Sequence, residues 1–262
     1  MPDPMTPVQR AAAGQVLREA LEARELLVVS LCGAHAYGFA SADSDVDLKG
    51  VWVAPARRLL GFAGVPGAVD RQEWVGEVEV DFTVNELGQA ALGVLKGNGN
   101  MIERIMDGAP LHAGEGLDEL RALTRKSLSK RVYKHYRGFA TGQRKAVDPK
   151  AVSAKKLLYV LRTTTTGAHL LESGEVIPDL SALWERYELP EVPELIGLKR
   201  EAEKGVLPSE VWTMARVEAL MTRAFSRLDR ALEASKLPEH PSEDDQAAME
   251  RWLIERRLAS LS

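Results

Sequence analysis

The stretch Ser30-Leu-Cys-Gly-Ala-His-Ala-Tyr-Gly-Phe-Ala-Ser-Ala-Asp-Ser-Asp-Val-Asp-Leu-Lys-Gly-Val51 decides how this chain is read. The apolar run Leu26–Cys32 leads into it and is expected to be a buried strand. It stops at Gly33, where a residue without a side chain lets the backbone turn tightly and approach a ligand. Residues 34–39 can begin a helix whose first N–H groups point at an anion. Asp45 and Asp47 then flank Val46. On a strand, positions i and i+2 share a face, so the two carboxylates converge while Val46 and Leu48 turn to the core. Two ionised carboxylates this close repel. A hard divalent cation with oxygen ligands, such as Mg²⁺, relieves that repulsion.

Outward from this segment, residues 7–23 carry apolar side chains at helical spacing, and Asp45–Val53 is expected to be a second strand. Ala54 to Val69 is loop-like, with Pro55, Pro66 and three glycines. Trp74–Val84 alternates strictly and is expected to be one strand, with Glu77, Glu79 and Asp81 on one face and Val78, Val80 and Phe82 on the other. A third carboxylate from that face can complete a two-metal site. Residues 85–96 and 100–107 are expected to be helices. Beyond about residue 118 strand signals stop. Segments 119–145, 151–173, 181–204, 209–236 and 243–261 are all helical in pattern, with Ser209 and Ser242 as N-caps. The expected organisation is a mixed α/β domain over 1–118 followed by an all-helical one over 119–262.

The chain has 262 residues and a single cysteine, Cys32, so no disulfide can form within it. Its start, MPDPMTPVQR, lacks a signal pattern, and no apolar run approaches the roughly 20 residues of a membrane span. A cytoplasmic protein with no membrane partner is expected. The net charge is −4, yet residues 121–170 hold 13 Lys and Arg against one acid, Asp148. That segment is +12 and the remainder −16. Such a block suggests a polyanionic partner: a nucleoside triphosphate, a nucleic acid, or both. Lys155 and Arg162, seven apart, share a helix face. With Lys156 they can grip phosphates. Lys134, Arg137, Arg144 and Lys145 can extend that surface toward a nucleic-acid backbone. Tyr133 and Tyr136 stack on a base or, more simply, pack in a core. The hydroxyls of Thr163–Thr166 are expected to bond back to their own helix.

The segment resembles the polymerase-β-type nucleotidyltransferase superfamily: an apolar strand, a Gly-Ser or Gly-Gly turn, a spacer, and Asp-x-Asp or Asp-x-Glu. Gly33-Ala34 and Asp45-Val46-Asp47 occupy those places. GAHAYGFASADSDVDLKGV is closer still to a bacterial subgroup of nucleotidyltransferases, some tied to RNA-repair gene sets. The stretches Asn98-Gly-Asn-Met-Ile-Glu103 and Lys155-Lys-Leu-Leu-Tyr-Val-Leu-Arg162 are similar to it less specifically. The resemblance implies an α+β fold, with a small mixed sheet and helices followed by an all-helical domain.

It further implies a metal-dependent enzyme that moves a nucleoside monophosphate from an NTP to a hydroxyl, with two Mg²⁺ (or Mn²⁺) ions. The metal ligands are then Asp45, Asp47 and Asp81, with Glu79 the alternative to Asp81. Gly33, Ala34, His35, Ser44, Lys155, Lys156 and Arg162 are the nucleotide-contacting residues it implies. His35 is equally a structural histidine, and Ser44 a turn cap. Asn100 and Glu103 either position substrate or belong to their helix. An RNA 3′ end is the first acceptor it suggests; a protein side chain or small molecule are others, and a non-catalytic binding module is the contrasting class. Two positions depart from the pattern. Ala34 lacks the usual serine hydroxyl, and Lys49 stands where arginine is usual, keeping the charge without the bidentate fork.

Overall fold

A computed structural model describes residues 4–62, 64–201, 205–259 and 261. In chain order the elements are α1 (Pro7–Ala23), β1 (Glu25–Cys32), α2 (Gly33–Ala36), β2 (Val46–Val53), α3 (Ala56–Leu60), β3 (Ala68–Val75), β4 (Val78–Glu86), α4 (Leu87–Leu95), α5 (Gly99–Met106), β5 (His112–Ala113), α6 (Leu117–Lys126), α7 (Val132–Lys145), α8 (Ala154–Ser173), α9 (Val192–Glu201), α10 (Met214–Ala234) and α11 (Glu243–Ala259). They divide into two compact units. One comprises residues 1–33, 45–129 and 239–262; the other, residues 34–44 and 130–238. Each is therefore assembled from separated segments, which a linear boundary at 118/119 does not describe.

The first unit is built on a five-stranded sheet of order β3-β4-β2-β1-β5. β2 and β4 are parallel, and the other pairs are antiparallel. One face is apolar: Val46, Leu48, Val80, Phe82 and Val84 pack with Ala12, Ala13, Val16 and Ala20 of α1. A capping box starts α1: Gln9 N donates to Thr6 Oγ1 at 3.2 Å, and Thr6 N to Gln9 Oε1 at 2.9 Å. At Gly50 a Cβ would lie 2.1 Å from the Val28 carbonyl oxygen, so only glycine lets β1 and β2 approach there.

The expected strand Trp74–Val84 is in fact two. Gly76, with φ +62°, and Glu77 form a turn between β3 and β4, which pair Val75 with Val78 and Trp74 with Glu79. A two-residue turn leaves the alternation of side chains unbroken, so periodicity alone cannot reveal it. The loop expected over 54–69 also contains the short α3 and the start of β3.

The second unit, among the described residues, is helical apart from one isolated bridge between Ser153 and Val206. Helix α8 is its buried axis, packed by α7, α9 and α10. Ser153 caps it, and Gly174, at φ +74°, ends it. At Gly167 a Cβ would stand 2.6 Å from Tyr136 Cβ, so α7 and α8 meet at glycine. Thr164 Oγ1 bonds back to Val160 O and Leu161 O at 2.9 Å, while Thr163 reaches Gln143 and Thr166 reaches Ile177 O. Thus the threonines join α8 to its neighbours as well as to itself.

The helix expected over 119–145 is broken between α6 and α7. That over 181–204 becomes a 3₁₀ turn at Leu180–Ala182 and then α9; its end, 202–204, lies outside the described residues. The cap of α10 is Thr213, not Ser209, which sits in a turn four residues earlier. Ser242 does cap α11, accepting from Asp245 N at 3.1 Å. Residue 260 of the segment 243–261 is likewise outside the described residues. Arg257 of α11 bonds Glu86 at 2.9 Å, which places this C-terminal helix in the sheet-bearing unit. Among the described residues, no helix is long and apolar enough to cross a membrane.

Candidate active site

The face of the sheet opposite α1 is polar, and the register aligns its charges. Parallel pairing sets Asp47 beside Asp81 and Lys49 beside Thr83. Antiparallel pairing sets Cys32 beside Asp47 and Ser30 beside Lys49. Lys49 Nζ lies 2.8 Å from Asp81 Oδ2 and 3.9 Å from Asp47 Oδ1, and donates to Thr83 Oγ1 at 3.1 Å. The side chains of Lys49, Asp47 and Asp81 are 15%, 20% and 40% exposed, so Asp81 is the outermost. Glu79 is nearer the hairpin turn and accepts from Gln72 Nε2 at 2.6 Å, while Glu77 lies within the turn. Register therefore brings Asp81, rather than either glutamate, opposite Asp47.

Gly33 closes β1 with φ +62°, and a Cβ there would stand 1.9 Å from Asp47 Oδ2. The Asp47 carboxylate thus occupies the space a side chain at residue 33 would take. Asp45 is the exposed residue just before β2. Among the described residues, no three of His, Cys, Asp and Glu are grouped so as to hold a metal ion, and Asp45, Asp47 and Asp81 are not gathered into such a group. The donor chemistry nevertheless suits a hard cation. Two carboxylates face one another in register, a glycine clears room for one of them, and a cationic ammonium already sits between them.

Helix α5 packs against β1 and β2. Asn98 caps it by accepting from Asn100 N at 3.0 Å. Ser30 Oγ donates to Arg104 O at 3.2 Å, and the Arg104 guanidinium donates to Asn85 Oδ1. Burial pushes the Cys32 thiol up to about 12, against the partly opposing field of Arg104. Cys32 is therefore a neutral side chain beside Asp47. Arg104 was not foreseen, because its bond to Asn85 forms only once α5 packs against the sheet.

The other six residues of the expected site belong to the second unit. Ala34 and His35 are buried, within α2, whose four residues are too few to present a helix N-terminus to an anion. The helix expected over 34–39 thus ends early, and Gly38 follows at φ +82°. Ser44 has the geometry of a turn cap: its Oγ accepts from Ser41 N at 3.0 Å and from Lys199 Nζ at 2.8 Å. Lys199 is fully buried, and it too was not foreseen, since Leu-Lys-Arg-Glu reads as a solvated helix face. On α8, Lys156 is exposed and Lys155 half-buried. Arg162 is buried, its guanidinium 3.7 Å from the centre of the Tyr37 ring.

The basic block is not uncompensated in three dimensions. Arg137 pairs with Asp229 at 3.0 Å and Arg144 with Glu218, both acids on α10, and both arginines lie over the Phe225 ring. Tyr133 donates to Asp229 at 2.9 Å, and Tyr136 is core. These residues link α7 to α10; two arginines of the block find their acids 92 and 74 residues further along the chain.

Comparison with known proteins identifies a family. The RlaP family, the RNA repair pathway DNA polymerase beta family, matches residues 10–255. An uncharacterized protein of Methanocaldococcus jannaschii is 25% identical over 222 residues, covering 83% of this chain and 88% of its own. A crystal structure of a nucleotidyltransferase-like protein from Exiguobacterium sibiricum aligns with 94% of this chain and 78% of its own, at 12% identity and a TM-score of 0.34. With the family match spanning nearly its whole length, the chain belongs to the RNA repair pathway DNA polymerase beta family, within the polymerase-β-type nucleotidyltransferases.

Proposed function

We propose that the chain transfers a nucleoside monophosphate from an NTP to the hydroxyl of an RNA 3′ end, with release of pyrophosphate. The observation that carries this reading is the pairing of Asp47 with Asp81 across parallel strands, with Gly33 clearing the Asp47 carboxylate. Family membership supports the class of chemistry, and the family's RNA-repair description supports the choice of acceptor. In the transfer the acceptor oxygen bonds to the α-phosphorus while the bond from that phosphorus to the bridging oxygen breaks.

Asp47 and Asp81, the pair in register, would hold Mg²⁺ or Mn²⁺, and Asp45, outside that pair in the structure, would have to move to join them. When bound, the metal supplies positive charge against the triphosphate and the attacking oxygen. Asp81, the more exposed of the paired carboxylates, would orient or accept the acceptor hydroxyl's proton. The sheet holds Asp47 and Asp81 in fixed register, so the protein's main contribution is positioning.

The test is incubation with each α-labelled NTP, Mg²⁺ or Mn²⁺, and RNA, DNA and protein acceptors. Labelled RNA is the expected result, and Asp45→Ala and Asp47→Ala should abolish it while leaving the fold intact. Full activity in either variant refutes the reading. Self-labelling would redirect it to protein modification. Nucleotide binding without transfer would favour a non-catalytic module, a reading to which Ala34 and the Lys49 ion pair lend weight.

A further inference from the structure

We propose that Lys49 is an internal counter-cation that holds the carboxylate pair until a divalent ion displaces it, and so sets the metal affinity of the site. This rests on the reading of Asp47 and Asp81 as metal ligands. The ammonium bridges the two: 2.8 Å from Asp81 Oδ2, 3.9 Å from Asp47 Oδ1, with Thr83 Oγ1 as a third partner at 3.1 Å. It is delivered by the same strand as Asp47, two residues on and therefore on the same face.

The physical consequence follows from charge. Adjacent strands lie about 4.8 Å apart, so in-register carboxylates on a common face repel when ionised. Lys49 offsets part of that repulsion without any ligand. A divalent ion entering between Asp47 and Asp81 meets a like charge there, and must either displace it or bind more weakly. Lysine suits exchange: a point charge on a four-carbon stem swings away without moving backbone, whereas an arginine fork would grip a carboxylate at two points.

The test measures Mn²⁺ affinity by the paramagnetic resonance signal of free Mn²⁺, together with thermal unfolding with and without Mn²⁺. The proteins are wild type, Lys49→Met, Lys49→Gln, Lys49→Arg, Asp47→Asn and Asp81→Asn. Both neutral Lys49 variants should bind Mn²⁺ at least about tenfold more tightly, equivalent to about 1.4 kcal/mol. Their metal-free melting points should fall, and their gain on adding Mn²⁺ should exceed that of wild type. Lys49→Arg, which keeps the charge, should not tighten binding. If Asp47→Asn and Asp81→Asn weaken Mn²⁺ binding but the neutral Lys49 variants bind no tighter than wild type, the Lys49 proposal falls and the carboxylate reading stands. If neither Asn variant changes Mn²⁺ binding, both fall. Should Lys49→Met not fold, Lys49→Gln, which keeps a polar end for Thr83, decides alone.

Discussion

Gly33→Ala tests the geometry of the carboxylate segment most directly. Gly33 has φ +62°, and forcing an L side chain into that region costs about 1–2 kcal/mol. The added Cβ would also meet Asp47 Oδ2 at 1.9 Å and Cγ at 2.8 Å, distances no relaxed structure tolerates. The carboxylate must then swing away from Lys49, leaving a four-fifths buried acid poorly compensated, at a further cost of about 1–2 kcal/mol. Urea unfolding should therefore show Gly33→Ala losing about 2–4 kcal/mol of stability, as the sum of those two effects. In an Asp47→Ala background, Cγ and Oδ2 are gone and only Cβ, at 3.2 Å, remains near. The same glycine substitution should there cost only the backbone part, about 1–2 kcal/mol. A double-mutant cycle isolates the difference. Equal costs in both backgrounds, within about 0.5 kcal/mol, would refute the claim that Gly33 is glycine because Asp47 fills its side-chain space.

Four further outcomes are expected. Gly167→Ala should destabilise by about 1–3 kcal/mol by forcing α8 from Tyr136, read as a shifted urea midpoint with an unchanged slope. Arg137→Ala should cost about 1 kcal/mol through the loss of Asp229 and the Phe225 ring, and should leave RNA affinity unchanged in a salt titration. Burial lowers the affinity of His169 for a proton. The unfolded chain therefore binds that proton more readily, so stability falls as pH drops below about 6.5. His169→Gln should flatten this acid-side slope in urea midpoints measured between pH 5 and 7.5. Cys32, with its thiol pushed up to about 12, should react with iodoacetamide at neutral pH far more slowly in the native protein than in urea.

Much of the sheet-bearing unit was legible because its signals are local. Helix α1 begins and ends where the apolar spacing places it, and β1 ends at the glycine that stops its apolar run. The turn at Gly76 was hidden because a two-residue hairpin preserves the parity of the strand pattern. The cap of α10 was misplaced because Ser209 and Thr213 offer the same chemistry four residues apart, and tertiary packing chooses between them.

What the sequence by itself determined is the inventory and its order: a strand, a glycine, and two aspartates at strand spacing, with an acidic strand to follow. These rest on spacing along one chain, where backbone geometry leaves few alternatives. The tertiary structure alone decided which acid stands opposite Asp47, because register between β2 and β4 is a non-local pairing. It alone paired Arg137 and Arg144 with acids on α10, and buried Lys199 against Ser41 and Ser44. A charge's partner is set by distance in space, and no count along the chain contains it.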